Sequence, residues 1–75
     1  MKTFNPDTEQ LLKQRMEQRY VQGRMKEVYS IDPETGQYRK YTPQDQIIEV
    51  QRGTQKGEEF LLSEKKLMDE LNKRL

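Results

Sequence analysis

The sequence predicts a small α+β domain in which an antiparallel sheet is covered by two helices. Three observations predict it. Val28–Thr42 has the residues of a β-hairpin with a tight central turn, Asn5-Pro6-Asp7 opens a run of helix-forming residues, and Glu58–Leu75 carries an apolar stripe without Gly or Pro. We therefore expect a helix, a hairpin, a third strand and a C-terminal amphipathic helix, in a single domain over residues 1–75.

The first helix is expected to begin at Asn5 and to end between Gln22 and Arg24, with an extension to Glu27 as the alternative. Asn5 can cap the helix, Pro6 suits its first position, and Gly23 suits the position just after its end. A narrow apolar stripe, widened by Leu11, recurs at every fourth position and consists of Leu12, Met16 and Tyr20. Because this stripe is narrow, most of the helix surface is expected to face solvent.

The hairpin turn is predicted at Asp32-Pro33-Glu34-Thr35-Gly36. Asp32 can accept backbone hydrogen bonds, Pro33 fixes φ at the first turn position, and Gly36 tolerates positive φ. Such a composition suits a type I turn closed by a glycine bulge. The turn then fixes the register, which pairs Ile31 with Tyr38, Ser30 with Arg39, Tyr29 with Lys40, and Val28 with Tyr41.

These five turn residues resemble the turn of the designed mini-hairpin chignolin, and Asp32–Tyr38 is similar to segments of YD-repeat (Rhs-type) proteins. Both resemblances imply a turn and carry no function. In the predicted register, one face of the hairpin carries Tyr29, Ile31, Tyr38 and Lys40, and the other carries Val28, Ser30, Arg39 and Tyr41. Neither face is wholly apolar, so other elements are expected to cover at least one of them.

The segment after the hairpin has two interpretations. We expect a third strand at about residues 46–51, because Ile48 and Val50 are β-branched and alternate with polar residues. The alternative is a helix capped by Thr42, begun by Pro43 and closed by Gly53. Arg52–Gly57 is then expected to be a loop.

The last helix is expected over Glu58–Leu75, although Ser63 would suit the cap of a shorter helix. Its apolar stripe spans about 120°, the width of a core-facing surface, and consists of Phe60, Leu61, Leu67, Met68, Leu71 and Leu75. We expect Leu67 and Leu71 to be buried against the sheet. Leu62 lies off this stripe and is expected to be exposed.

The composition predicts a thin hydrophobic core. The chain has 75 residues, of which 31% are hydrophobic and 36% charged, with a mean hydropathy of −1.24. Chains this short bury only about 60% of their unfolded surface. A homo-oligomer or a larger partner would supply the missing burial.

The residue types present argue against catalysis. The chain has no Cys and no His, so the usual thiol nucleophile and the commonest general base are both missing. No phosphate-binding loop or metal-ligand spacing occurs, and we expect no enzyme, no cofactor and no metal site. We expect a cytoplasmic protein, because no apolar run suits a membrane span and Met1–Thr8 lacks the apolar core of a signal peptide.

Our first functional hypothesis is a small protein-binding module: an inhibitor, adaptor or accessory regulator of a larger protein. A net charge of +1 argues against a DNA mimic, which would be far more acidic, and against a purely electrostatic nucleic-acid binder, which would be more basic. Tyr and Met are favoured in interface cores, and the chain has more apolar and aromatic residues off its stripes than a thin core requires. The candidate interface residues are Tyr20, Val21, Met25, Tyr29, Tyr41 and Leu62.

The second hypothesis is a nucleic-acid-binding regulator that uses the basic first helix and the Tyr38–Tyr41 strand. Its candidate residues are Arg15, Arg19, Arg39, Lys40 and Tyr38. Stacking and phosphate contacts need aromatic and cationic groups on one surface. However, Tyr38 and Tyr41 alternate onto opposite faces, so at most one of them stacks beside a given cation. This hypothesis is therefore the alternative.

Overall fold

The structure is a computed structural model and describes residues 4–73. Its elements are α1 (Pro6–Val21), β1 (Val28–Ile31), β2 (Tyr38–Tyr41), α2 (Pro43–Arg52) and α3 (Gln55–Lys73). The two strands form an antiparallel hairpin that packs against the helices, which makes the domain α+β as predicted. The three helices pack against one another, and β2 contacts α2.

α1 begins where the sequence predicts it and ends at Val21, one residue before the predicted range, with Gln22 as its C-cap. The Asn5 side chain accepts a hydrogen bond of 2.8 Å from the Thr8 N–H, which satisfies one of the free donors of the first turn. Gly23 follows the C-cap residue with φ of +70°. Of the predicted apolar stripe, Leu12 and Met16 are buried, whereas Tyr20 remains exposed.

The hairpin has the predicted register at all four residue pairs. Gly36 has φ of +72°, and its N–H donates to Asp32 O at 2.7 Å. Asp32 N–H donates in turn to Gln37 O at 2.9 Å. Asp32 therefore lies opposite two residues, Gly36 and Gln37, which directly precede β2, and this arrangement is the predicted glycine bulge.

The face of the hairpin that turns toward the core is the one carrying Tyr41. Tyr41 is 1% exposed, and its ring meets Phe60 edge to face, with centroids 5.3 Å apart and planes at 73°. This geometry is the favoured one for an aromatic pair. On the opposite face, Tyr29 and Tyr38 are 70% and 78% exposed.

The predicted third strand is wrong, because the segment forms α2, the alternative interpretation. Asp45 N–H donates to Thr42 Oγ1, and Thr42 N–H donates to Asp45 Oδ2, each at 3.1 Å. These two bonds form a capping box. Pro43 occupies the first turn, and Gly53 ends the helix with φ of +68°.

Burial along α2 follows a helical period and not the alternation expected of a strand. Ile47 and Val50, three residues apart, are buried with Gln46, whereas Ile48 is exposed. The β-branched residues cost only a few tenths of a kcal/mol each in a helix. The two caps and the buried face together outweigh that local preference.

The predicted loop at 52–57 is also wrong, since Gly53 and Thr54 alone separate α2 from α3. Thr54 Oγ1 accepts the Gly57 N–H at 3.1 Å and so satisfies a donor of the first turn of α3. Gly57 lies directly against α2. A Cβ atom there would come within 2.7 Å of the Glu49 carbonyl carbon and 2.9 Å of Val50 Cα. The two helices can approach this closely because the residue is glycine.

Leu67 and Leu71 were predicted to be buried, but they are 39% and 48% exposed. The buried positions of α3 lie in its N-terminal half and include Phe60 and Leu61. That half packs against α1 and α2, and the sheet has no third strand for the C-terminal half to cover. The helix runs unbroken past Ser63, and Leu62 is exposed as expected. The expectation for Leu75 falls outside residues 4–73.

A buried amide joins the hairpin to α2. Gln46 Nε2 donates to Lys26 O at 2.8 Å and to Tyr41 O at 3.3 Å. These carbonyls lie just before β1 and at the end of β2. The Gln46 side chain therefore holds both ends of the hairpin against α2 with bonds that each contribute roughly 1 kcal/mol.

The Asp45 carboxylate should make the stability of α2 depend on pH. The Thr42 backbone N–H, the Thr42 hydroxyl and the Arg39 guanidinium together hold the pKa of Asp45 below its ordinary value of 3.8, against the opposing effect of burial. Because the folded-state pKa is lowered, this stabilisation is present above the unfolded pKa and is lost as the pH falls through the folded one.

We expect Asp45→Asn to lower the melting temperature near neutral pH, because the charged acceptor of the capping box is lost. The difference from the wild type should shrink as the pH falls from about 6 to about 2. Thermal melts followed by circular dichroism measure this, with Glu34→Gln in the exposed turn as the control for the loss of one negative charge. A difference that does not vary with pH would contradict the role of Asp45.

Gly57→Ala should destabilise the domain by roughly 1–3 kcal/mol, because the added methyl group overlaps the α2 backbone. Alanine alone would favour the helix by about 1 kcal/mol, so the sign of the effect is diagnostic. Urea unfolding measures it, with Gln55→Ala on the exposed side of the same turn as the control. A Gly57→Ala variant as stable as the wild type would show that the helices do not cross here.

Candidate functional site

Two adjoining cavities lie along β1. The first has a volume of about 640 Å³ and lies between the end of α1, β1 and α3. The second, of about 500 Å³, continues along β1 toward the turn. Tyr29, Ser30 and Glu59 line both. We call this continuous depression the β1 groove.

The floor of the β1 groove is apolar. Met16, Met25 and Phe60 line it and belong to the buried core. Val28 and Leu67 form more exposed walls. Methionine side chains adapt their shape to different apolar partners, so the floor can receive an apolar side chain from outside.

A buried ion pair closes one wall of the groove. Arg19 Nη1 donates to both carboxylate oxygens of Glu64, at 2.7 and 2.9 Å. Glu64 is almost wholly buried, while Arg19 keeps about a third of its side chain exposed. The pair joins α1 to α3 across the first cavity.

A buried lysine reaches the groove from the first turn of α3. Lys56 Nζ donates to Ser30 Oγ at 2.8 Å and to the Glu59 carboxylate. The ammonium also lies 5.6 Å from the centroid of the Tyr41 ring, within the range of a cation–π contact. Lys56 therefore neutralises the acidic residue at the junction of the two cavities.

The remaining cations of the groove are not neutralised in this way. Arg24 and Lys26 line the first cavity. Within residues 4–73, neither side chain forms an ion pair. The groove therefore presents two free positive charges beside an apolar floor.

An exposed aromatic face adjoins the groove. Tyr29, Ile31 and Tyr38 lie on the outer face of the hairpin, and all three line the second cavity. Diagonal neighbours on one face of an antiparallel pair lie about 7–8 Å apart, within reach of aromatic side chains. The outer face and the β1 groove therefore form one surface.

The structure divides the predicted protein-binding residues into three groups. Tyr29 lies at the centre of the surface just described, and Met25 lies in its floor. Tyr41 is buried in the core and is not on the surface. The other three, Tyr20, Val21 and Leu62, are exposed but line neither cavity of the groove. Two of the six predicted residues therefore line the β1 groove, and their role in binding stays a prediction.

The predicted nucleic-acid-binding cations are mostly occupied by other groups. Arg19 pairs with Glu64, as described above. The Arg39 guanidinium lies 4.7 Å from the Tyr41 ring centroid and within 4 Å of two carboxylates, those of Asp32 and Asp45. Lys40 lies 3.3 Å from Glu27. These contacts compete with phosphate binding.

Two further members of that predicted set behave differently. Arg15 Nε is buried and has no hydrogen-bond partner among residues 4–73, so this edge of the guanidinium does not face solvent. Tyr38 is exposed, but it lies on the hairpin face opposite to Tyr41 and Arg39. The structure therefore does not bring these five residues onto one surface.

Sequence reasoning missed the buried polar residues of the groove, Lys56 and Glu64. Lys56 fell in a segment predicted to be a loop. Glu64 did carry a signal, because it lies one turn after Phe60 and one turn before Met68, within the apolar stripe of α3. A carboxylate at such a position needs a buried partner, which Arg19 supplies.

Arg19→Met should destabilise the domain by roughly 1–3 kcal/mol, because Glu64 then remains buried without its charged partner. Adding Glu64→Leu should restore most of this loss, since replacing both partners of a buried ion pair by apolar residues is often close to neutral. Urea unfolding of the two single variants and the double variant measures the coupling.

The control for this cycle is Lys65→Met, which breaks the exposed pair with Asp69 and should cost at most about 0.5 kcal/mol. A double variant as unstable as Arg19→Met alone would show that Arg19 stabilises the domain through contacts other than Glu64.

Two properties of the described chain bear on the type of site. None of the helices within residues 4–73 is long and apolar enough to cross a membrane. No cluster of three or more His, Cys, Asp or Glu residues that could hold a metal ion occurs in that range. Comparison of the chain with protein-family models, curated proteins and solved structures found no match.

Proposed function

We propose that this chain is a small non-enzymatic protein-binding module that docks onto a larger protein through the β1 groove and the adjoining aromatic face. The observation that carries the proposal is the exposure of Tyr29 and Tyr38, at 70% and 78%, on the second cavity of a groove whose first cavity has an apolar floor. As an inhibitor, adaptor or accessory regulator, the chain would act by occupying a surface of its partner.

The chemistry of this surface supports a protein partner. Aromatic residues and methionine are enriched at the centres of protein interfaces, and polar residues surround them. Here Tyr29 and Tyr38 are the aromatic residues, Ile31 adds an aliphatic side chain, and Met25 lies in the floor of the first cavity. Large exposed aromatic side chains next to a concave apolar floor are typical anchors for a partner.

A catalytic role for the same surface has less support. The acidic residues that line the groove, Glu59 and Glu64, are each bound to a cation, Lys56 and Arg19. The chain contains no His and no Cys to serve as a general base or nucleophile. The absence of cysteine is also compatible with a partner in the reducing cytoplasm.

The alternative proposal, a nucleic-acid-binding regulator, has weaker support. Its cations are distributed over two surfaces, and Arg39 and Lys40 are already paired with carboxylates. Phosphate binding would have to displace those carboxylates. Binding to nucleic acid would also weaken steeply with salt, which distinguishes the two proposals experimentally.

We expect a tagged full-length chain to capture a protein from a lysate of its native host, and nuclease treatment should leave that protein bound. Replacing Tyr29 and Tyr38 together by Ser should reduce capture by at least about tenfold, because anchor residues each contribute on the order of 1–2 kcal/mol or more. Quantitative mass spectrometry of the captured material measures both effects.

The control is Val21→Ser, which replaces an 84% exposed apolar residue that lines neither cavity of the groove. Melting temperatures of all variants should stay close to that of the wild type, because surface substitutions change stability little. Loss of all captured material after nuclease treatment would favour the nucleic-acid proposal. Capture that is lost with Val21→Ser and kept with the tyrosine variant would place the interface elsewhere.

A further inference from the structure

We propose that an extended, acidic segment of the partner protein binds in the β1 groove as an added strand, paired with the outer edge of β1. This inference rests on the proposed protein-binding function and names how the partner is recognised. It follows from three features: the direction of the backbone groups of β1, the space beside that strand, and the charge of the groove.

The alternation of hydrogen-bonded and non-hydrogen-bonded residue pairs along the hairpin determines which backbone groups face outward. Asp32 N–H donates to Gln37 O, so Asp32 and Gln37 form a hydrogen-bonded pair. Such pairs alternate with non-hydrogen-bonded pairs along an antiparallel ladder. Ile31 and Tyr29 therefore lie in non-hydrogen-bonded pairs, and their backbone N–H and C=O groups point away from β2.

Within residues 4–73, no helix covers this outer edge of β1. Among the described residues, no helix Cα atom lies within 8 Å of a β1 Cα atom. Val28–Ile31 line the two cavities, to which β2 contributes Tyr38, and an added strand needs a spacing of only about 4.8 Å. Strand addition to an exposed edge is an established mode of peptide recognition.

The edge of β2 is less suited to the same role. β2 packs against α2, so that helix occupies space beside β2, whereas no helix of the described chain lies equally close to β1. Arg39 is held near Asp45 at the start of α2. The groove and its apolar floor lie along β1, so β1 is the strand that offers both backbone pairing and side-chain pockets.

The charge of the groove selects an acidic segment. The carboxylates of Glu59 and Glu64 are neutralised within the groove by Lys56 and Arg19. Arg24 and Lys26 remain, without an ion pair among residues 4–73 and close to the first residue of β1. An acidic residue of the added strand would complement them, while alternate apolar side chains face the floor.

Peptides selected from a random displayed library against the full-length chain provide the probe. We expect them to be rich in Asp and Glu, and their affinity should fall when Arg24 and Lys26 are replaced by Gln and when salt is raised. On binding, the amides of Tyr29 and Ile31 should become protected from hydrogen exchange.

A chain of 75 residues is accessible to chemical synthesis, so a single backbone N–H can be replaced by an ester oxygen. An ester at Ile31 should weaken peptide binding by about threefold to tenfold, the worth of one hydrogen bond. An ester at Tyr38, the matched position at the outer edge of β2, is the control and should leave the affinity unchanged.

Equal affinities of both ester variants, or a stronger effect at Tyr38, would overturn the proposal. So would a selection that yields no binding peptide, or peptides without acidic residues. Self-association of the chain that the Ile31 ester abolishes would show that a second copy occupies the edge instead.

The failure of strand addition is distinguishable from failure of the proposed function. If the captured host protein binds the Ile31 ester normally but loses binding with the Tyr29 and Tyr38 variant, the protein-binding role stands without strand addition. If neither change affects that protein, the β1 groove is not the interface and both proposals fail.

Discussion

The close approach of α3 to the backbone of α2 at Gly57 is the constraint on which the rest of the structure depends. A side chain at this position would hold the helices apart. Their contact brings Phe60 and Leu61 together with Ile47 and Val50 in one core cluster, and it presents the Phe60 ring to Tyr41. The position of the hairpin, and with it the β1 groove, therefore follows from the helix crossing.

Buried polar groups determine the arrangement of a core that is small. Gln46 joins both ends of the hairpin to α2, and Glu64 joins α3 to Arg19 of α1. Lys56 joins α3 to Ser30 of β1. Each contact crosses between elements, and loss of the contacts made by Gln46 and Glu64 would leave a buried polar group without its partner. These contacts therefore favour one arrangement over other packings of a thin apolar core.

Local chemistry could be predicted from the sequence where a few adjacent residues decide the structure. The turn at Asp32-Pro33-Glu34-Thr35-Gly36 fixed the register of the hairpin, and Asn5 marked the start of α1.

The prediction of a third strand in the α2 segment was wrong. The β-branched residues of that segment favour a strand, but the capping box at Thr42 favours a helix and outweighs them. Which residues of the α3 stripe are buried depends on the elements that pack against this helix. Leu67 and Leu71 belong to the stripe, but they lie in the C-terminal half, beyond the half that packs against α1 and α2. The candidate site was predictable only in part: Tyr29 and Met25 were identified, but the groove that unites them is formed by tertiary packing.

The burial of the hairpin at a single strand residue has a dynamic consequence. Tyr41 is the one residue of β1 and β2 that is buried, and it lies at the base of the hairpin, far from the turn. A segment with so few buried contacts has a low free energy of local opening. We therefore expect the hairpin tip to open more readily than the packed helices, and such opening would change the width of the β1 groove. If binding of a partner stiffens the hairpin, the hairpin loses conformational entropy. The affinity for the partner then depends on how often the free hairpin already adopts the bound position.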